Sequence, residues 1–386
     1  MNEESMIYLD NAATSHPKPD SVLQAVNQAL TEFNANPGRS GHKRALNAAR
    51  VVLECREALG NFLGAEDPMR IIHCFNCTDA LNLAIKGCLR QGDHVIASLL
   101  EHNSVLRVLS ELEARGRISL TLIAPEDNGI LNPEHYAAAI RPNTRLAVMT
   151  QASNVLGTLQ PVTNLCQLMR RQGILSLVDG AQAAGIVQAN IQKMGCSLYA
   201  FPGHKGLMGP QGTGGLYVAP HVELRPLREG GTGSLSESMR QPSELPDRLE
   251  SGTVNLPGIA GLLAGVNWVM PRRAQLRDHE RMLTSALLEG LASIPGVSIY
   301  GERNPAARVG VVSFNLEDIQ SGAVADALDR RNIAVRGGLH CAPGTHQFLG
   351  TTAQGAVRVS IGPSNNLSDI EALLRSIRQI TQIGTT

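Results

Sequence analysis

The chain has 386 residues, with 34 Lys and Arg against 34 Asp and Glu, 43% hydrophobic residues and only 3% aromatic ones. The balanced charge gives no general electrostatic pull towards nucleic acid or an anionic membrane, and so few aromatics argue against a base-stacking platform. Length and ordinary composition leave room for a large core and two or three domains, and no apolar run reaches the roughly 20 residues of a membrane span.

The N-terminal run MNEESMIYLD is acidic and has no apolar centre, so it does not read as a signal peptide. Seven scattered cysteines suit free thiols in a reducing compartment, and the cytoplasm is the expected location. Asp20 or Ser21 is placed to cap a helix carrying Val22, Leu23, Val26, Ala29, Leu30 and Phe33 at helical spacing. A polar loop spans 34–41. A second helix runs to about Phe62, with Leu46, Ala49, Val52, Leu53 and Leu59 on one face and Gly64 as its stop.

Alternation then sets in. Strands are predicted at 71–75, 95–99, 120–123, 146–150, 174–178 and 197–201, with helices at 79–89, 105–114, 133–140 and 165–172 between them. This pattern predicts a mostly parallel sheet covered by helices on both faces. The run Gly209 to Gly215 lacks the order of a nucleotide-binding loop and reads as a tight turn before a strand at 216–218. The Gly- and Ser-rich stretch 230–241 reads as a mobile loop. The Asn255-Leu256-Pro257-Gly258 run marks the expected domain boundary. Beyond it come a long helical region, strands near 297–300 and 309–315, a helix near 323–331, a strand at 357–361 and a terminal helix. The expected domains are 16–257, with a large α/β sheet, and a smaller α/β domain over 258–386.

Two strand ends concentrate the chemistry. The apolar run 174–178 stops on Asp179, and the run 197–201 leads into Pro202-Gly203-His204-Lys205. In a parallel sheet both lie at the carboxyl edge, where open α/β folds bind ligands. An acid for a protonated pyridine nitrogen and a lysine for a Schiff base are the two groups that pyridoxal phosphate needs. The plain alternative for Asp179 is a helix cap, and for a lone lysine a solvated surface charge.

The words Tyr8-Leu9-Asp10-Asn11-Ala12-Ala13, Glu101-His102-Asn103, Ser153-Asn154-Val155-Leu156-Gly157, Val178-Asp179-Gly180-Ala181-Gln182, Gly203-His204-Lys205 and Arg336-Gly337-Gly338-Leu339-His340-Cys341 follow in order. In that order and spacing the chain resembles the fold-type I pyridoxal phosphate enzymes of the class V aminotransferase group. Within that group it is similar to the cysteine desulfurases and selenocysteine lyases. The resemblance implies a large domain with a mostly parallel, seven-stranded type of sheet, a small C-terminal domain, and an N-terminal arm (1–15) packed on the latter. It implies Lys205 as the Schiff-base lysine, Asp179 on the pyridine nitrogen, Gln182 on the ring hydroxyl, and His102 stacked on the ring with acid or base duty. His204, Cys77 and Thr78 fall to the phosphate, where Asn76-Cys77-Thr78 opens a helix whose N–H groups suit an anion.

Two departures stand out: Cys77 replaces a usual threonine, and Pro202 replaces a usual serine. Thr253, in a segment that resembles one reaching the partner subunit's cofactor, implies a homodimer. Asn154 and Arg358 are the candidates for a substrate carboxylate. Cys341 is the implied acceptor of sulfur from L-cysteine, or selenium from L-selenocysteine, giving alanine and a persulfide for a sulfur-acceptor protein. His340 and Arg336 are placed to favour its thiolate. A free loop cysteine in a transaminase or epimerase of the same group is the alternative, as is a sulfur-delivery module active only with its acceptor. Cys74 and Cys77 form a lone C-x-x-C without a second pair, so no metal site is expected.

Overall fold

The computed structural model describes residues 6–38 and 40–384. In chain order the elements are β1 (Ile7–Tyr8), α1 (Asp20–Thr31), α2 (Lys43–Leu63), β2 (Ile71–Cys74), α3 (Cys77–Cys88), β3 (Asp93–Ser98), α4 (Asn103–Ala114), β4 (Ile118–Ile123), α5 (Pro133–Ala138), β5 (Thr144–Thr150) and α6 (Val162–Arg171). They continue with β6 (Leu175–Asp179), α7 (Ile191–Met194), β7 (Leu198–Pro202), β8 (Gly214–Val218), α8 (Leu256–Val269), α9 (Arg273–Ala292), β9 (Val297–Tyr300), β10 (Val311–Leu316) and α10 (Ser321–Asp329). The last are β11 (Ile333–Ala334), β12 (Arg336–Gly338), α11 (Pro343–Phe348), β13 (Ala356–Ser360) and α12 (Leu367–Gly384).

Seven strands form one sheet in the order β2-β8-β7-β6-β5-β3-β4. Only β8 runs against the rest. Its central strands are apolar on both faces, as helices on both sides require: Leu146, Ala147, Val148 and Met149 of β5 are all fully buried. The predicted turn around Gly209 lies between the antiparallel strands β7 and β8, as read from the sequence. A second, antiparallel sheet runs β12-β13-β10-β9. Its hydrophobic cluster joins Val312, Phe314, Val357 and Val359 to side chains of α9, α10 and α12. This is an α/β chain of fold-type I, with a large mixed sheet and a smaller antiparallel one.

The chain's start lies on the second unit. β1 pairs in parallel with β11, and Leu9 joins the smaller cluster. Residues 1–5 of the expected arm lie outside the described residues. The Asn-Leu-Pro-Gly run begins helix α8. Asn255 caps α8, its Oδ1 accepting from Gly258 N at 3.1 Å, and Pro257 sits where its missing N–H costs nothing. Ile259, Leu262, Val266 and Val269 of α8 then pack into the larger cluster, and the smaller cluster starts only at Leu283 in α9. The larger cluster thus takes in α8, and the smaller one takes in α9.

Two local readings change as well. Pro19, not Asp20 or Ser21, precedes the first turn of α1, and no side chain caps it. On α2 the buried face is Ala45, Ala48, Cys55, Leu59, Phe62 and Leu63, while Leu46 and Leu53 are 54% and 39% exposed. Gly64 ends α2 as expected, in the left-handed conformation at φ 74°.

Candidate active site

Because β2, β3, β5, β6 and β7 run the same way, the segments that follow them meet at one sheet edge. A cavity of about 850 Å³, mouth included, opens there. That volume suits a cofactor together with a small substrate. Asp179 ends β6, Lys205 follows β7, His102 follows β3, Asn154 follows β5, and Cys77 and Thr78 start α3 after β2. All of these line the cavity, with Gln182, His204 and Arg358.

Asp179 is buried, and its Oδ1 accepts from Ala181 N at 2.8 Å and from the Cys77 thiol at 3.6 Å. Its Oδ2 has no protein partner among the described residues. Burial raises its pKa, while Ala181 N–H, Lys205 and the Cys77 thiol pull it down. The Cys77 side chain thus turns to Asp179, and only its backbone N–H is left for an anion. Lys205 is half-buried and its amino group makes no hydrogen bond to the described protein. Burial lowers its pKa, and so do the Arg358 and Arg336 charges, whereas Cys77 and Asp179 oppose the shift. A lysine so placed is readily deprotonated and becomes a nucleophile for a carbonyl.

The amides of Cys77 and Thr78 head the twelve-residue helix α3, whose cap, Asn76, takes Asp79 N at 2.8 Å. The first-turn acid Asp79 is matched by Arg228 at 2.9 and 3.1 Å, so it does not oppose an anion there. His204 Nδ1 lies 3.2 Å from Thr14 Oγ1, and burial, with Lys205 and Lys18 nearby, drops its pKa to about 4. Gln182 Nε2 donates to Ala12 O at 3.1 Å. An unpartnered carboxylate oxygen, an unpartnered lysine and a helix N-terminus in one cavity are the donor set that pyridoxal phosphate requires, and the residues fit that group.

Arg358 is 2% exposed and lies on β13 beside the cavity. Its Nη2 meets Asp10 Oδ1 at 2.8 Å, its Nη1 reaches Asn154 O at 3.3 Å, and its Nε has no partner. Asn154 Nδ2 donates to His340 O at 2.7 Å. Sequence reasoning named the Tyr8–Ala13 word but gave Asp10 no role. Ser104, missed entirely, joins Thr78 Oγ1 (2.7 Å) to His102 Nδ1 (2.9 Å). A hydroxyl two residues after the histidine was the only available signal. Glu101 was named in its word but given no role; it is fully buried, and its Oε1 accepts from Ser98 Oγ at 2.5 Å and Thr150 N at 2.8 Å.

Cys341 stands just outside the cavity wall, between residues that reach it. Arg336 lines the cavity and holds Nη2 3.8 Å from Cys341 Sγ. The Cys341 carbonyl accepts from Asn103 N at 2.7 Å, which fastens its turn to the start of α4. His340 and Cys341 both have positive φ, 50° and 57°, a costly conformation for side chains of this size. His340 does not serve the thiol. Its Nε2 donates to Ala356 O at 2.9 Å, and burial together with Arg358 holds the ring neutral. Thr253 is not in this cavity. It lines another with His73, Arg228 and Glu250.

The Aminotransferase class-V family model matches residues 7–373. A probable cysteine desulfurase of Methanothermobacter thermautotrophicus is 34% identical over 98% of this chain and 95% of its own. One from Pseudomonas aeruginosa is 35% identical over 95% and 92%. Among solved structures, the apo cysteine desulfurase of Thermococcus onnurineus superposes with a TM-score of 0.91 at 32% identity, covering 98% of this chain and 95% of that one. The Escherichia coli cysteine desulfurase CsdA, as its S-sulfonic acid, gives 0.88 at 26% identity over 98% and 95%. The chain therefore belongs to the aminotransferase class-V family, in its cysteine desulfurase group.

Proposed function

We propose that this chain is a pyridoxal phosphate-dependent cysteine desulfurase, converting L-cysteine to L-alanine and leaving sulfur on Cys341. The observation that carries this reading is Arg336, which borders the cavity and holds a guanidinium 3.8 Å from the Cys341 sulfur. A cysteine in an ordinary loop has no need of that contact.

When bound, the cofactor would supply an electron sink for the negative charge that develops at the substrate Cα. Asp179 Oδ2 is the acceptor for the pyridine N–H, and its charge keeps that nitrogen protonated. The backbone N–H groups of Cys77 and Thr78, with His204, would hold the phosphate, and Gln182 would hold the ring hydroxyl. Arg358 and Asn154 orient the substrate carboxylate, with Asp10 giving way on the guanidinium. Lys205 moves the proton at Cα. The Cys341 thiolate attacks the substrate sulfur, and the carbon–sulfur electron pair stays with the carbon skeleton, which leaves as alanine after protonation. The persulfide then passes to a sulfur-acceptor protein or is reduced to sulfide. We also propose that the working unit is a homodimer in which Thr253 serves the partner's site.

The test is alanine release from L-cysteine by the cofactor-loaded protein with a thiol reductant present. Wild type releases alanine and carries an extra sulfur on Cys341 by mass spectrometry. Cys341→Ala lowers release by at least about 100-fold, a typical loss for a catalytic group. Equal release by both proteins would overturn the role of Cys341. No release by wild type, with a cofactor spectrum still responsive to amino acids, would favour transamination.

A further inference from the structure

His102 is the cavity residue whose protonation state the hydrogen-bond network settles. It is the N-cap of α4, and Ser104 N donates to its Nδ1 at 3.1 Å. A backbone N–H has no other role than donor, so Nδ1 is the unprotonated nitrogen and the ring hydrogen sits on Nε2. The hydroxyls follow from this. If Ser104 turned its hydrogen to Thr78, an oxygen lone pair would face the Nδ1 lone pair at 2.9 Å. Ser104 therefore donates to Nδ1, and Thr78, 2.7 Å away, donates to Ser104. Protonating Nδ1 would break both contacts and strip α4 of its cap.

The surroundings oppose an imidazolium further. The helix N-terminus is a region of positive potential. The charges acting on the ring are those of Lys205 after β7, Arg336 on β12, Arg358 on β13 and Arg107 on α4, all cationic. Burial is the larger cause, and together they bring the ring to about 4.

We propose that His102 is a neutral imidazole locked in its Nε2–H tautomer, able to donate one hydrogen bond from Nε2, and not a base that moves protons in the reaction. This rests on the cofactor reading given above. It leaves proton transfer to Lys205, whose amino group faces the same cavity. It also gives Ser104 a positioning role, since that one residue supplies both donors to Nδ1.

The experiment is hydrogen–deuterium exchange at the imidazole C2 position, followed residue by residue with mass spectrometry on the cofactor-loaded protein across pH. The exchange midpoint of His102 is expected below about pH 5, against about 6.5 for an unperturbed imidazole. A midpoint at or above the unperturbed value would overturn the proposal. A second measurement is the pH profile of kcat/KM for alanine release in wild type and His102→Gln. The variant is expected to be slower but to keep the same acid limb. Disappearance of that limb in the variant would assign it to His102 and overturn the proposal. Failure of wild type to release alanine would sink the desulfurase reading alone, because the exchange experiment reads the ring and not a reaction.

Discussion

Glu101 ties the end of β3 to the end of β5 through one oxygen, while its Oε2 is buried without a partner. Burial is the main cause that raises its pKa to about 8. Asp179 adds to the rise, and the bonds from Ser98 and Thr150 oppose it. The sign of the linkage is then fixed. The folded chain keeps a proton that the unfolded chain releases above about pH 4.3, so this contribution to stability is fully present in acid and is lost as pH rises through about 8. The slope from this group is at most about 1.4 kcal/mol per pH unit. Glu101→Gln, which stays neutral, is expected to flatten it, as read from urea midpoints across that range. An unchanged slope would mean that the carboxyl is ionised. Such residues were hard to read in advance. The placing of Asp179 and Lys205 at the sheet edge was legible because one ends an apolar strand run and the other follows one by three residues. Glu101, Ser104 and Asp10 draw their roles from partners that only folding brings near.

Helix α2, strand β2 and the turn before Thr253 are joined by one buried ion pair. Arg56 meets Glu250 at 2.8 and 2.9 Å, with side chains 3% and 7% exposed, and Glu250 also takes His73 N at 2.5 Å. Removing one member leaves the other charged and enclosed. Glu250→Ala is expected to cost about 3–5 kcal/mol in chemical denaturation. A loss below about 1 kcal/mol would place the pair with exposed salt bridges. This ion pair also explains why the face of α2 was misread. Hydrophobicity alone favoured Leu46 and Leu53, whereas small residues and the Arg56 anchor turn the other side inward. Strand and helix order, by contrast, followed from periodicity throughout the large sheet. The Pro-Gly pair at 257–258 falls at a helix start, where the missing proline N–H costs nothing.

Across the molecule, Leu53, left uncovered on α2, borders the groove that also holds Met69, Gly233, Gly252 and Val254, the last next to Thr253 in sequence. A second copy seated there would cover Leu53 and Met69 and carry Thr253 towards another site. On the homodimer proposed above, Leu53→Asp is expected to shift the protein from dimer to monomer in light scattering and to weaken cofactor binding in the same sample. A dimer that persists unchanged would move the interface elsewhere. The pairing of Asp10 with Arg358 has a different consequence, one of timing. These residues are 348 positions apart, and one end of the chain supplies the counter-charge for the other. During synthesis Asp10 leaves the ribosome long before its arginine exists, and β1 likewise waits for β11. The large sheet is translated first, but the Arg358 wall of its cavity is complete only when β13 has emerged. A nascent chain can therefore form the lysine and aspartate ledge early, while the arginine proposed to hold a substrate carboxylate joins it only once residue 358 has been made.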